Sequence, residues 1–292
     1  MGNHFGPITL YRNGKGKTDG FSSEAIMKYL RLLKYFLRTL LYKRNMLIIL
    51  LTFVAFHFVS FNFYNFQNAS VVSILIIFYY GPSYFHFDLF RWLLHQTPIY
   101  IFSGNFLNKQ LNENNLWILP RVGNFSLWLN GVISANFLFI VIYYSIGYFI
   151  SILLSYVTNG EKSIRAGLNG SSLLKTYPPL KLMFIQFVLL ILLTFFVVLI
   201  SHVVSILANN AIAGFSVSIM FIFISVGFLQ SSPHVNKWMP FSQGVLVRRN
   251  LEFYSFAWSL MYYFFAIFIA ILLFHYICYK RIDSLLHNKN TL

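Results

Sequence analysis

The sequence predicts an all-α polytopic integral membrane protein, with about six transmembrane helices preceded by a basic amphipathic helix in the membrane interface. Three observations predict it. The chain of 292 residues is 58% hydrophobic and only 10% charged, whereas soluble domains are about one quarter charged. From Leu182 to Gln230 there is no Lys, Arg, Asp or Glu. As a single helix that run would be about 73 Å long, more than twice the ~30 Å hydrocarbon core of a bilayer, so it must fold back on itself. The place to fold is Ala208-Asn209-Asn210-Ala211-Ile212-Ala213-Gly214, because Asn accepts left-handed backbone angles and caps freed carbonyls, and Gly lies close behind.

Taken in order, residues 1–21 read as a flexible basic tail. Gly16-Lys17-Thr18 looks like the end of a phosphate-binding loop, but Tyr11 stands where that motif needs a glycine. Over 22–44, Ser22 or Ser23 can cap a helix with Glu24 in its first turn. Ile26, Leu30, Leu33, Leu37 and Leu40 then recur at helical spacing, with Lys28, Arg31, Lys34 and Arg38 on the opposite side. This is the interfacial helix, apolar face toward acyl chains and basic face toward headgroups. Lys43-Arg44 close it and mark the cytoplasmic side of the first span. No cleaved signal peptide is expected behind so long a basic lead.

The transmembrane domain covers 46–279, with spans expected at 46–63, 69–87, 129–156, 182–208, 211–230 and 254–279. Gly81-Pro82 predicts a kink in the second. Residues 96–128 are polar-leaning and read as a long segment between spans two and three. The loop 157–181 and the segment 231–253 are too polar to span, and Trp238 and Phe241 suit an interface. A cytoplasmic tail, 280–292, opens on Lys280-Arg281. Six spans put both termini in the cytoplasm of a plasma-membrane protein. The basic residues agree only in part, since Lys162, Arg165, Lys175 and Lys181, and Lys237, Arg248 and Arg249, would lie outside. A re-entrant second segment would move both loops inside.

Charge and chemistry narrow the function. The net charge of +15 in so apolar a chain fits membrane surfaces rather than nucleic acid. The single cysteine, Cys278, excludes an intrachain disulfide. Acids are scarce, and His86, Asp88, Arg91 and His95 form the one cluster that invites a metal reading. His86 and His95 are two and a half turns apart with Arg91 between, so charges snorkelling at a helix end are the better expectation, and Asp88 can pair with Arg91. No metal and no catalytic residue is expected. Of the intramembrane polar residues, Asn209 and Asn210 suit the turn, Asn136 and Gln186 suit bonds between spans, and His57 and His202 suit packing.

The layout resembles the permease subunit of a type-2 ABC exporter: an interfacial basic helix, two spans, a long cytoplasmic segment, and four further spans with a polar insertion before the last. In residues the resemblance covers two short stretches. Glu113, Leu116, Trp117, Leu119, Pro120, Arg121 and Trp128 fall in the family's order of acid, short amphipathic run, Pro-x-x-Arg-like turn and third span. Pro240-Phe241-Ser242 followed by Arg248 looks like the family's Pro-led re-entrant segment. The family's Gly-Thr is Asn114-Asn115 here, and its usual Lys before the third span is Asn130. The chain is similar to divergent permeases found with bacteriocin-like peptide-antibiotic export and immunity systems.

The resemblance implies a non-enzymatic subunit that binds no cofactor itself. ATP would be hydrolysed by a separate cytoplasmic ABC ATPase, which pushes on Glu113, Leu116, Trp117, Pro120 and Arg121. A second permease, identical or sister, completes the transporter. Trp117 and Trp128 suit interfacial anchoring equally well. A pathway without charge suits a hydrophobic or amphipathic cargo such as a peptide, antibiotic or lipid. Two other classes remain open: an immunity or accessory membrane protein that binds a toxin without transport, and a membrane-embedded enzyme.

Overall fold

A computed structural model describes residues 23–64, 70–82, 87–111, 118, 122, 124–159, 177–228, 233–246, 249 and 255–288. Among them the fold is all-helical. The helices are α1 Ser23–Leu40, α2 Lys43–Tyr64, α3 Val71–Phe78, α4 Phe87–Lys109, α5 Phe125–Asn159, α6 Pro179–Leu207, α7 Ala211–Phe228, the short α8 Pro233–Asn236 and α9 Pro240–Gly244, and α10 Phe256–Asn288. Four are long and apolar enough to cross a bilayer: Lys43–Asn62, Phe125–Thr158, Pro179–Leu207 and Phe256–Lys280. The apolar helix Ala211–Ile224 is shorter. This is a membrane protein.

Local signals explain several helix ends. Asn124 accepts a hydrogen bond from the Leu127 amide at 3.1 Å and so caps α5. Pro179 opens α6 at the first helical position, where a missing N–H costs nothing. Between α6 and α7 the chain reverses in three residues. Asn209 adopts φ 51°, and Asn210 Oδ1 accepts from the Ile212 amide at 2.8 Å, capping α7. Gly214 then allows α7 to lie directly on α6, since a Cβ there would collide with Ser205 Oγ and the Ser201 carbonyl oxygen.

The long helices run alternately between two ends. At the basic end, Phe36 of α1 packs edge-on against Phe106 near the end of α4, with centroids 5.5 Å apart. Leu32 and Phe36 also cover Gly131 near the start of α5. His275 of α10 bonds Asn130 of α5 there at 3.1 Å, and His202 of α6 faces Phe274. At the far end, Phe241 of α9 packs on Trp92 near the start of α4, and Tyr177 ahead of α6 packs on Phe256. The core between is aromatic: Phe53 of α2 lies 4.8 Å from Tyr143 of α5 and sits over Gly147, where any side chain would displace it.

Two expectations change here. In place of one span over 69–87, the chain forms the eight-residue α3 and then breaks. Gly81 takes φ 112°, and Pro82 cannot continue a helix because it has no N–H and constrains the residue before it. The polar-leaning 96–128 stretch is also not all connection, because α4 runs through it to Lys109. Twenty-three residues make α4 about 35 Å long. Its Gln96 and Ser103, and Gln110 just past its end, lie on a face that is buried together with Trp92, Ile99, Tyr100 and Leu107. Polar residues at helical spacing thus mark a helix that meets other helices.

Candidate functional site at a broken helix

The break after α3 frees backbone carbonyls inside an apolar bundle, where each unpaired one would cost about 1–3 kcal/mol. The Tyr79 and Tyr80 amides donate to the Leu75 and Ile77 carbonyls. Three more carbonyls are met from elsewhere in the chain. Gln186 of α6 donates Nε2–H to the Ile76 carbonyl at 3.0 Å. Arg91 of α4 donates Nη1–H to the Phe78 carbonyl at 2.5 Å. The Leu246 amide, just past α9, donates to the Tyr80 carbonyl at 3.0 Å. Three separate elements therefore close on one broken helix end.

Arg91 is the centre of this arrangement. Its side chain is fully buried, its Nη2 lies 3.7 Å from Asp88 Oδ1, and its guanidinium sits 5.7 Å from the centre of the Phe56 ring. A cation at the C-terminal end of α3 also complements that helix's dipole. One turn further along α4, His95 is walled by Phe56 at 4.6 Å and Trp92 at 4.7 Å. Its carbonyl accepts from the Tyr143 hydroxyl at 2.6 Å. Gln96 donates Nε2–H to Tyr144 at 2.7 Å, and its Oε1 accepts from Tyr100 at 2.9 Å. The Tyr144 and Thr194 hydroxyls are 2.8 Å apart. This chain of bonds joins α4, α5 and α6 at mid-depth.

A second polar cluster locks the far end. Arg249 is 5% exposed. Its Nη2 donates to the Gln243 carbonyl at 2.7 Å and to Ser259 Oγ at 3.0 Å, while its guanidinium lies 4.6 Å from the Phe256 ring centre. Ser259 in turn donates to Gln243 Oε1 at 2.7 Å. Gln243 Nε2–H reaches the Lys237 carbonyl at 2.7 Å, and Tyr263 donates to the Pro240 carbonyl at 2.8 Å. The α8–α9 segment is thereby pinned to the start of α10. Beside it Lys237 Nζ lies 4.7 Å from the Trp258 ring centre, and Trp238 is exposed as an interfacial residue should be.

The residues singled out from sequence fall as follows. Lys28, Arg31, Lys34 and Arg38 are all exposed on α1. Glu113, Leu116, Trp117, Pro120, Arg121 and Arg248 lie outside the described residues, as does His86. Pro240 opens α9. Phe241, expected at the interface, is 1% exposed, because α9 folds inward onto Trp92. Asp88, Arg91 and His95 do not snorkel; they are buried, since the broken α3 needs a donor there. Trp128 is buried and stacks on Phe125 at 5.6 Å instead of anchoring at a surface. Gln186 bonds across helices, whereas Asn136 donates to the Val132 carbonyl of its own helix at 3.0 Å. His57 stacks on Phe61 at 5.9 Å, a packing position.

What sequence reading missed is Arg249, Gln243 and the donor role of Arg91. The signal for Arg91 was present: a Gly-Pro break inside an apolar run demands donors, and Arg91 is the nearest strong one downstream. Among the described residues no group of three or more His, Cys, Asp or Glu could hold a metal ion. Many of the polar groups here bond one another and the backbone, an arrangement suited to joining helices. Comparison with protein-family models, with curated proteins and with solved structures finds no match.

Proposed function

We propose that this chain is the membrane-spanning permease subunit of an ABC exporter. It would move a hydrophobic or amphipathic cargo with ATP hydrolysed by a separate cytoplasmic subunit. The observation that carries the reading is the alternation of α2, α4, α5, α6, α7 and α10 between two ends, with α1 lying across the basic end and the Pro240-led α9 folded in ahead of the last helix. On this reading the second crossing is α4, relieved of the kinked 69–87 segment, and six crossings put both termini in the cytoplasm. In this topology α4 ends and α5 begins at the cytoplasmic end, where α1 also lies. A second permease would complete the transport path.

The test is purification of the tagged protein from gently solubilised membranes. An ATP-hydrolysing subunit retained in fixed ratio, and released by Trp117→Ala with Arg121→Ala, is the expected result. A protein that purifies alone removes the exporter reading and leaves a toxin-binding immunity role.

A further inference from the structure

Helix α1 has three faces rather than two. At about 100° per residue, Tyr29, Leu32, Phe36 and Leu40 fall together, and the last three are buried against the bundle. Tyr29 adds a hydrogen bond to Ser134 of α5 at 2.7 Å. Next around the helix come Ile26, Leu30 and Leu37, of which Ile26 is 47% and Leu30 55% exposed. Then come Lys34, Arg38, Arg31 and Lys28, all exposed, with the exposed Met27 and Tyr35 interleaved among them. The order of bundle, bare apolar strip and basic row fixes the helix in space. With its inner face against protein, the apolar strip meets acyl chains only if the basic row lies at headgroup level. A row turned toward a soluble protein would leave that strip without a cover.

The same level continues into α2. Asn45 Nδ2–H caps the Leu40 carbonyl at 2.9 Å across the turn, and Lys43 and Arg44 are exposed directly after it. From Ala25 to Tyr64 the sequence contains no Asp or Glu, so this segment supplies no acid to offset the row.

We infer that α1 is a binding surface for anionic phospholipid, its basic row gripping the phosphates of the leaflet at this end. Because Leu32 and Phe36 rest on Gly131 of α5, and Phe36 on Phe106 of α4, lipid held here also steadies the ends of the two helices that flank residues 112–123. The inference does not depend on the exporter reading, since its readout is lipid binding.

The experiment titrates the full chain in detergent with phosphatidylglycerol and with phosphatidylcholine, counting bound lipids by native mass spectrometry. Each basic side chain near an anionic surface contributes about fivefold in binding. The variant K28Q/R31Q/K34Q/R38Q is therefore expected to weaken phosphatidylglycerol retention by at least about tenfold, leaving phosphatidylcholine unchanged. The swap K28R/R31K/K34R/R38K keeps the charge and should keep the retention. Wild-type protein that holds both lipids equally, or a Gln variant that holds phosphatidylglycerol as tightly as wild type, overturns the inference. So does a Gln variant that loses only a co-purifying protein, which would assign the row to an acidic protein surface.

Discussion

Arg91→Met separates a structural keystone from a tolerated buried charge. The side chain donates to the Phe78 carbonyl and lies 3.7 Å from Asp88. At an effective dielectric of about 20, that charge separation is worth about 4.5 kcal/mol before desolvation. Methionine keeps the aliphatic stem but removes the cation beside a buried carboxylate and the donor to the helix-end carbonyl. Removing one member of a buried pair costs about 3–5 kcal/mol. The hydrogen bond from the charged guanidinium to that carbonyl is itself worth about 1.5–3 kcal/mol, so the loss should be shared between this bond and the carboxylate's lost cation. The double variant R91M/D88N removes the carboxylate's charge as well and should recover about half of the loss. The assay is reversible unfolding of the purified protein in mixed micelles, titrated with a denaturing detergent. A single variant within about 1 kcal/mol of wild type, or a double variant that costs the sum of both singles, would refute the reasoning.

Two further outcomes follow from close packing and from the far-end lock. Gly214→Ala places a methyl group against Ser205 Oγ and the Ser201 carbonyl oxygen. Because a backbone atom cannot turn aside, about 1–3 kcal/mol should be lost, read as a lower melting temperature; an unchanged melt would mean that α6 and α7 are not so closely apposed. Arg249→Met leaves the Gln243 carbonyl and Ser259 without their donor. Amide exchange across 236–246 should accelerate while exchange in α1 stays as it was, and equal acceleration in both would show that Arg249 acts globally.

Some of this architecture was legible in the sequence because the signals were local. The α6–α7 reversal needs one left-handed residue, one cap and one small residue, and Asn209, Asn210 and Gly214 stand within six positions. The all-helical membrane class was equally plain from composition. Helix α4 was not legible as a core helix, because Asp88, Arg91, His95 and Gln96 lower its apolar character, and the partners of Arg91 and Gln96 lie on other elements: the Phe78 carbonyl, Tyr144 and Thr194. Periodicity likewise showed that α1 has an apolar face without showing that Leu32 and Phe36 meet protein while Ile26 and Leu30 do not. Hydrophobicity has no direction, and protein and lipid tails are alike to it. Trp128 and Phe241 misled for the same reason, since an aromatic ring suits an interface and a core equally.

The two irregular stretches at the far end support each other. Irregular backbone at membrane depth is tolerated only where protein satisfies it, and here each stretch satisfies part of the other. The Leu246 amide leaves α9 and binds the Tyr80 carbonyl beyond α3, while Phe241 packs on Trp92, one residue from the arginine that caps α3. Breaking α3 alone would strand the Leu246 amide, and lifting α9 alone would strand the Tyr80 carbonyl. Each therefore opposes displacement of the other. Since α9 is also held to α10 through Gln243 and Ser259, the broken end of α3, α9 and the starts of α4 and α10 form one connected polar and aromatic joint at the far end.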